Sequence, residues 1–407
     1  MSSNIKFFLF LLGVIALIGG LTQVFTVLFA ALASILAILS AYFWNERVFH
    51  RLTLERATNP SKVHFGETVD YEVNLENGKF LPVPWLELKD RVTDGLDFVK
   101  DGVLRSPPGQ RENVFSDLFG LRWFERVRRR YQVIPRKRGL FQFGPAELRY
   151  KGILGFFDND KRYDEKVSLI VYPRILPFSG GEVQPHFLFG SRPRRGWIHT
   201  DPLNPMGVRP YQNTDSFKQI NWKSSVRHQQ LESEIHHPSH NPEIHVFLLA
   251  SPGRAWWEGE AQNRFELAVI SAASITNQAF KNRYRVGFYT NAKQEGERHQ
   301  ATIKPGRHSQ QRILTTLALL QPFGIGRIGH LLNDVRREIR PGSTVVVIQD
   351  GREDDMETAL KDYARRYQLT VVWIGERKSE TSLSDANHFY LKGDERWDEI
   401  ETIQFTQ

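Results

Sequence analysis

STVVVIQD, residues 343–350, is a run of apolar and mostly β-branched residues with no polar alternation, closed by a carboxylate at Asp350. A strand buried on both faces reads this way, because neither side of it meets water. EIHVFLLA (243–250), YRVGFYT (284–290) and LTVVWIG (369–375) repeat the pattern. Between these runs the apolar spacing is helical: 263–280, with Phe265, Leu267, Ala268, Ile270 and Ile275, then 309–320, 327–339 and 355–367. Strands alternating with helices predict a parallel, doubly wound α/β sheet. HFYLK (388–392) is expected as an edge strand and 395–404 as a closing short helix.

Upstream the period changes to two. VDYEVNLEN (69–77), WLELKDR (85–91), RYQVIP (130–135), LFQFGPAELRY (140–150) and VSLIVYP (167–173) alternate apolar and polar residues between Gly, Pro and Asn turns. Such runs predict an antiparallel β-sandwich-like domain. Further upstream, Phe7 to Trp44 is a stretch of 38 residues without a charge. As one helix it would extend about 57 Å, nearly twice a hydrocarbon core of about 30 Å. It is therefore expected as a transmembrane helical hairpin, spanning near 5–21 and 24–44 with the break at Gly19, Gly20, Thr22 and Gln23. The flanks carry Lys6 on one side and Arg47, Arg51, Arg56 and Lys62 on the other, which puts both in the cytoplasm by the positive-inside rule. A cleaved signal peptide, with Lys6 as its basic region and Phe7 to Leu17 as its apolar region, is the competing reading.

The 407 residues leave room for two or three domains, and 41% apolar with 25% charged content suits folded ones. The absence of cysteine excludes a disulfide framework, a thiol nucleophile and zinc-thiolate sites. A net charge of +8 fits anionic partners of several kinds without choosing among them.

GVRPYQNTDSFKQINWKSSVRHQQLESE (207–234) gathers Arg209, Tyr211, Asp215, Asn221, Trp222, Arg227 and Glu234 into one polar segment. Its spacings resemble the signature of the domain-of-unknown-function 58 family, membrane proteins with a von Willebrand A-like domain. The family pattern runs Arg-x-Tyr, Gly-Asp, Ile-Asn-Trp, Ser-x-Arg, Leu and Glu; Thr214 stands where it has the Gly. RKRGLFQFGPAEL, KGILGFFD and VSLIVYP also resemble family phrases, with Lys151, Gly152 and Ile153 in place of an Asp-Pro turn. The resemblance implies a C-terminal von Willebrand A-like (Rossmannoid) domain and association with a MoxR-type AAA+ ATPase and a transglutaminase-like membrane protein. It also implies a divalent-ion site, with Asp-x-Ser-x-Ser ending the first strand, a distant Thr, and an Asp ending the fourth. Here the first strand ends Ala250-Ser251-Pro252-Gly253-Arg254, Leu317 to Gly342 holds no Ser or Thr, and Asp350 alone matches. One carboxylate beside a cation suits a hard divalent ion poorly, so the metal is expected to be lost and no cofactor is expected.

Two accounts of 207–234 stand side by side. In one it is a surface connection in which Tyr211 and Trp222 pack on the sheet and Arg227 pairs with Asp215 or Glu234. In the other, guanidinium forks, an indole and a carboxylate make a protein-docking surface, the residue types that dominate interface energetics. GIGRIG (Gly324, Gly326, Gly329) follows a helical run, not the strand a dinucleotide loop needs, and reads as a loop opening a helix. His236, His237, His240 and His245 lack a helical ligand register and read as a polar linker. RVRRR (126–130), RKR (136–138) and RPRR (192–195) read as charge drawn to anionic headgroups, with no nucleic-acid module present.

The organisation expected is a hairpin in 1–45, a β-sandwich-like domain in 46–180, a connecting segment carrying the signature in 181–242, and the α/β domain in 243–407. The function expected is a membrane-anchored, non-enzymatic interaction or scaffold protein of the inner (plasma) membrane, with both termini and the bulk in the cytoplasm. The rival is a membrane-proximal hydrolase or transferase using Asp215 or Glu234 with Arg227. An exported adhesion module would need the reverse orientation.

Overall fold

The computed structural model describes residues 3–99, 103–105, 112–152, 158–178, 200–212, 215, 217–238, 243–250, 259–297, 299–340, 343–349, 354–375 and 386–406. The expectations for Arg192 to Arg195, Thr214, His240, Ser251 to Arg254 and Asp350 lie outside the described residues. Two compact units divide the chain, Met1–Tyr172 and Pro173–Gln407.

The first unit opens with α1 (Ser3–Leu21) and α2 (Phe25–Glu46), which pack together across a turn at Thr22 to Val24. The turn forms where helix propensity drops: the Thr22 hydroxyl bonds back to the Ile18 carbonyl at 2.8 Å, and Gln23 takes a left-handed φ of 54°. The 22 residues of α2 rise about 33 Å, and α2 is long and apolar enough to cross a membrane. The apolar part of α1, Lys6–Leu21, is shorter.

The strands that follow are β1 (Leu52–Asn59), β2 (Lys62–His64), β3 (Val69–Asn77), β4 (Val83–Thr93), β5 (Leu96–Phe98), β6 (Val103–Arg105), β7 (Glu112–Leu121), β8 (Arg126–Pro135), β9 (Gly139–Lys151), β10 (Asp158–Tyr163) and β11 (Val167–Tyr172). They form two sheets, β1-β3-β8-β5 and β2-β11-β9-β4-β7-β6, with β10 on the margin of β9. Pairing is antiparallel apart from β2 with β11. Inward side chains of both sheets make the core: Tyr71 stacks on Phe143 at 4.4 Å and meets Phe115 edge-on at 6.0 Å.

A charge lies sealed inside this apolar layer. Asp90, on β4, is fully buried, and the Arg56 guanidinium from β1 in the other sheet reaches both its oxygens at 2.9 Å. The Tyr71 hydroxyl, from β3, donates to the same carboxylate, and Arg56 also donates to the Glu165 carbonyl. Gly144 leaves space for this: at its φ of +115°, a Cβ would lie 2.7 Å from the Glu165 carbonyl oxygen and 3.3 Å from Arg56. Burial pushes the Asp90 carboxyl up against the pull of Arg56, and pushes the Tyr71 phenol well up. Arg56 is thus a tie between sheets and not one of the free cations flanking the apolar helices.

The second unit holds an antiparallel ribbon, β12 (Thr200–Pro210) with β13 (Glu232–Pro238), whose connection contains a 3-10 turn, Phe217–Gln219, and α3 (Trp222–His228). Beyond it come β14 (Glu243–Leu249), α4 (Gly259–Lys281), β15 (Arg285–Thr290), β16 (Ala292–Gln294), β17 (Ala301–Gly306), α5 (Gln310–Leu319), β18 (Leu320–Gly324), α6 (Ile328–Arg336), β19 (Thr344–Gln349), α7 (Asp354–Arg366), β20 (Gln368–Ile374) and β21 (Asn387–Leu391). The main sheet runs β17-β15-β14-β19-β20-β21. It is parallel except for β17, an antiparallel edge, so it is mixed where a parallel sheet is expected from the apolar runs. Phe247, Leu249, Val345, Val347, Leu369 and Val371 pack with α6 and α7 on one face, and α4 packs along β14, β15, β19 and β20.

Two local expectations are corrected. Residues 395–404 form turns and an isolated bridge of Ile403 with Phe178, not a helix. Asn263 donates to the Gly393 and Glu395 carbonyls and Arg174 to those of Trp397 and Asp398, so side chains take the acceptors a helix would use. The run ahead of GIGRIG is helical only to Leu319; β18 then pairs with β16 in a separate ribbon.

His245, on β14, lies in the middle of the main sheet, with Nδ1 3.1 Å from the Tyr289 hydroxyl, and burial pulls its pKa down to about 4. It folds neutral, so the unfolded state binds the extra proton between about pH 6.5 and 4. Acidification across that window should remove about 3 kcal/mol from the second unit, and His245→Phe should flatten the loss, read by unfolding midpoints at each pH. In the first unit, Asp90→Ala should cost about 3–5 kcal/mol by stranding Arg56, while the double replacement of Arg56→Met and Asp90→Leu should cost less. Denaturant titration followed by near-ultraviolet dichroism separates the two outcomes.

Candidate functional site

The signature segment folds as the β12–β13 ribbon closed by α3, with Arg209 opposite Ser233 and Val208 opposite Glu234. Its polar residues bond to one another. Arg209 donates to Asp215 at 2.6 Å, and the second Asp215 oxygen accepts the Gln212 amide at 3.0 Å. Arg209 and that amide hold the Asp215 carboxyl below the usual range. The Tyr211 hydroxyl donates to the Asp215 carbonyl at 3.3 Å.

Asn221 starts α3 in the way its residue type favours, its Oδ1 accepting the Ser224 amide at 2.9 Å. Its Nδ2 donates to Glu234 at 2.9 Å, which pins the helix to β13. Ser225 adds a second pin: its hydroxyl donates to the Asn221 carbonyl at 2.8 Å and accepts the Glu232 amide at 2.9 Å. The buried Glu232 carboxylate accepts from the Ser224 hydroxyl and faces His228 Nδ1 at 3.1 Å. Those two partners hold it below the usual carboxylate range.

The remaining signature residues point away. Trp222 is 64% exposed and Val226, one turn further along α3, is 78% exposed. Phe217 is exposed on the turn leading into the helix, and Arg227 is exposed with no ion pair among the described residues. Pairing of Arg227 with Asp215 or Glu234 is therefore overturned, because Arg209 and Asn221 already hold those carboxylates. Packing of Trp222 on the sheet is overturned by its exposure, whereas Tyr211 is half-buried with its ring 5.9 Å from Phe217.

At the carboxyl edge of the main sheet, Asn291 clamps the backbone of Ala250, donating to its carbonyl and accepting its amide, both at 2.8 Å. Gly324 rests on this clamp: a Cβ there would lie 2.5 Å from the Ala250 carbonyl oxygen and 2.7 Å from Asn291 Nδ2. The first glycine of GIGRIG thus serves close packing. Gln349, at the end of β19, is buried with neither amide atom bonded among the described residues.

No group of three His, Asp or Glu residues suited to a metal occurs among the described residues. His245 is a core residue, not part of a polar linker. The RVRRR cluster is strand β8, and its arginines are neutralised rather than free for headgroups. Arg128 and Arg130 pair with Glu72, Arg126 with Glu55 and Glu76, and Arg129 with Asp117. Arg136 and Lys137 pair with Asp97 and Asp94.

The family described as "Protein of unknown function DUF58" matches residues 207–405. Uncharacterized protein YeaD of Bacillus subtilis (strain 168) is 24% identical over 337 residues, covering 81% of this chain and 77% of the relative. Among solved structures, the CARDB domain of PF1109 from Pyrococcus furiosus is similar at 13% identity and a TM-score of 0.20, over 30% of this chain and 96% of that one. A non-cellulosomal cohesin from Archaeoglobus fulgidus is similar at 10% identity and a TM-score of 0.19, over 30% and 91%. At such TM-scores the fold rests on the strand pairing itself.

Asn221→Ala should cost about 1–2 kcal/mol locally, since it removes the cap and the Glu234 link together. Hydrogen exchange should show faster exchange through α3 and unchanged protection in β14 and β19.

Proposed function

From the premise that residues 207–405 form a domain of the DUF58 family, we propose that this chain is a membrane-anchored docking protein. In this reading α1 and α2 both cross the membrane, the bulk of the chain is cytoplasmic, and α3 presents a binding face to a MoxR-type AAA+ ATPase. A transglutaminase-like membrane protein would belong to the same assembly. The observation that carries the reading is the division of labour in the signature: its carboxylates and amides bond inward, and Trp222, Val226 and Arg227 are left outward. Trp and Arg are the side chains most able to anchor an interface, and a capped helix offers them pre-ordered.

The strand order, with the antiparallel β17 at one edge, supports a von Willebrand A-like reading of the C-terminal domain. In the sequence, Ser251 and Asp350 would have to supply the ligands, with Arg254 three residues after Ser251, a set that suits a hard divalent ion poorly. The contact proposed is thus between side chains, without a shared metal. The hydrolase or transferase reading finds less support. Both oxygens of Asp215 are engaged, and Arg227 bonds neither Asp215 nor Glu234 among the described residues.

Affinity capture from detergent-solubilised membranes tests the proposal. Trp222→Ala and Arg227→Ala should each reduce recovery of the ATPase by about tenfold or more, as loss of an interface anchor does. Recovery equal to that of the unsubstituted chain would remove this face from the docking surface.

A further inference from the structure

Where α2 ends, the sandwich is tied to it without a loose joint. Trp44 Nε1 donates to the Pro82 carbonyl at 3.1 Å, and Asn159 Nδ2 donates to the Asn45 carbonyl at 2.9 Å. The buried Lys79 ammonium donates to the carbonyls of Val48 and His50, and the Gly78 amide to that of Arg51 at 2.9 Å. The β3–β4 turn is thereby fixed against the chain leaving the apolar helix.

A second turn, β7–β8, is braced to the first. The Asn77 side chain donates to the Leu81 and Arg122 carbonyls at 2.9 and 2.8 Å, and the Phe124 amide donates to the Lys79 carbonyl at 3.1 Å. These turns display large aromatic side chains. Phe80 and Trp123 stack at 5.6 Å with planes 7° apart, yet both are mostly exposed. Phe124 is 68% exposed and has a left-handed φ of 48°, a strained conformation for a bulky residue. Among the described residues, burial explains neither the exposed rings nor the strain, and strain held by surrounding bonds points to a role outside the fold.

We propose that Phe80, Trp123 and Phe124 form an aromatic foot that rests in the headgroup layer of the bilayer crossed by α2. The inference builds on the membrane reading above and adds a second contact with the lipid. Aromatic side chains favour this depth, where an apolar ring and a polar edge are both satisfied. Trp44, at the helix end, is bonded to the very turn that carries Phe80. Arg47, Arg51 and Arg122 are exposed around the same turns and suit anionic headgroups, at the end of the sandwich where β1 begins and β3 finishes.

The chain has no cysteine, so single labels are clean. An environment-sensitive fluorophore is placed at Arg122→Cys, at Thr68→Cys near the opposite end of β3, and at Leu36→Cys within α2. Each full-length chain is reconstituted in phosphatidylethanolamine vesicles containing a minority of phosphatidylglycerol. The Arg122 label should be blue-shifted and about threefold less quenched by iodide than the Thr68 label, as expected at a membrane interface. Adding Trp123→Ala and Phe124→Ala should abolish that difference and leave the Leu36 label shielded. An Arg122 label as open to iodide as Thr68, with Leu36 still shielded, overturns the foot and leaves the anchor standing. Exposure of Leu36 as well removes both. Shielding at Arg122 found in native membranes but absent from these vesicles assigns the aromatics to a protein partner and also overturns the proposal.

Discussion

A buried ionised contact between two sheets governs the first unit. Asp90 enters from β4, fully buried, and Arg56 from β1, with its side chain almost wholly enclosed. Ionised groups are tolerated in such a layer only when they are paired and hydrogen-bonded, so the register of β1 against β3 has little freedom. Shifting β1 by one residue would turn Arg56 to the outside and strand Asp90. Tyr71, the Glu165 carbonyl and the space left by Gly144 complete the set of partners, which draws β3, β4, β9 and the chain before β11 to the same point.

This contact also marks where sequence patterning stops informing. The strands of the α/β unit were legible because both of their faces are buried and their composition shows it. LTLERATN was not legible as a strand, because a buried arginine sits where alternation calls for an apolar residue. The charge of β8 misled in the opposite sense: five positions containing four arginines look like a free basic patch until β3 beside it and β7 of the other sheet supply carboxylates. β16 and β18 escaped notice because they are short and lie outside the main sheet. The closing turns read as helical since nothing in 395–404 reveals that Asn263 and Arg174, distant in the chain, occupy its carbonyls.

The signature segment shows the same division at the level of function. Its residue types point to guanidinium–carboxylate pairing, and such pairing is present, but the partner of Asp215 is Arg209 rather than Arg227. Spacing along the chain could not decide this, because the turn after β12 brings Asp215 back onto Arg209 and the Gln212 amide. Once Arg209 and Asn221 are assigned, the outward set of Trp222, Val226 and Arg227 remains with no internal work among the described residues. The capping of α3 and its two pins to β13 keep that set in place before any partner arrives.

The ties between α2 and the sandwich have a mechanical meaning. A flexible linker would let the helix rotate or slide while the β domain stayed still. Here the chain passes from Glu46 to Leu52 through successive hydrogen-bonded turns, and Trp44, Asn45 and Lys79 bolt both sides of them together. Closely packed elements transmit displacement rather than absorbing it. Torque on the helix would therefore pass into the sandwich instead of being lost at a joint.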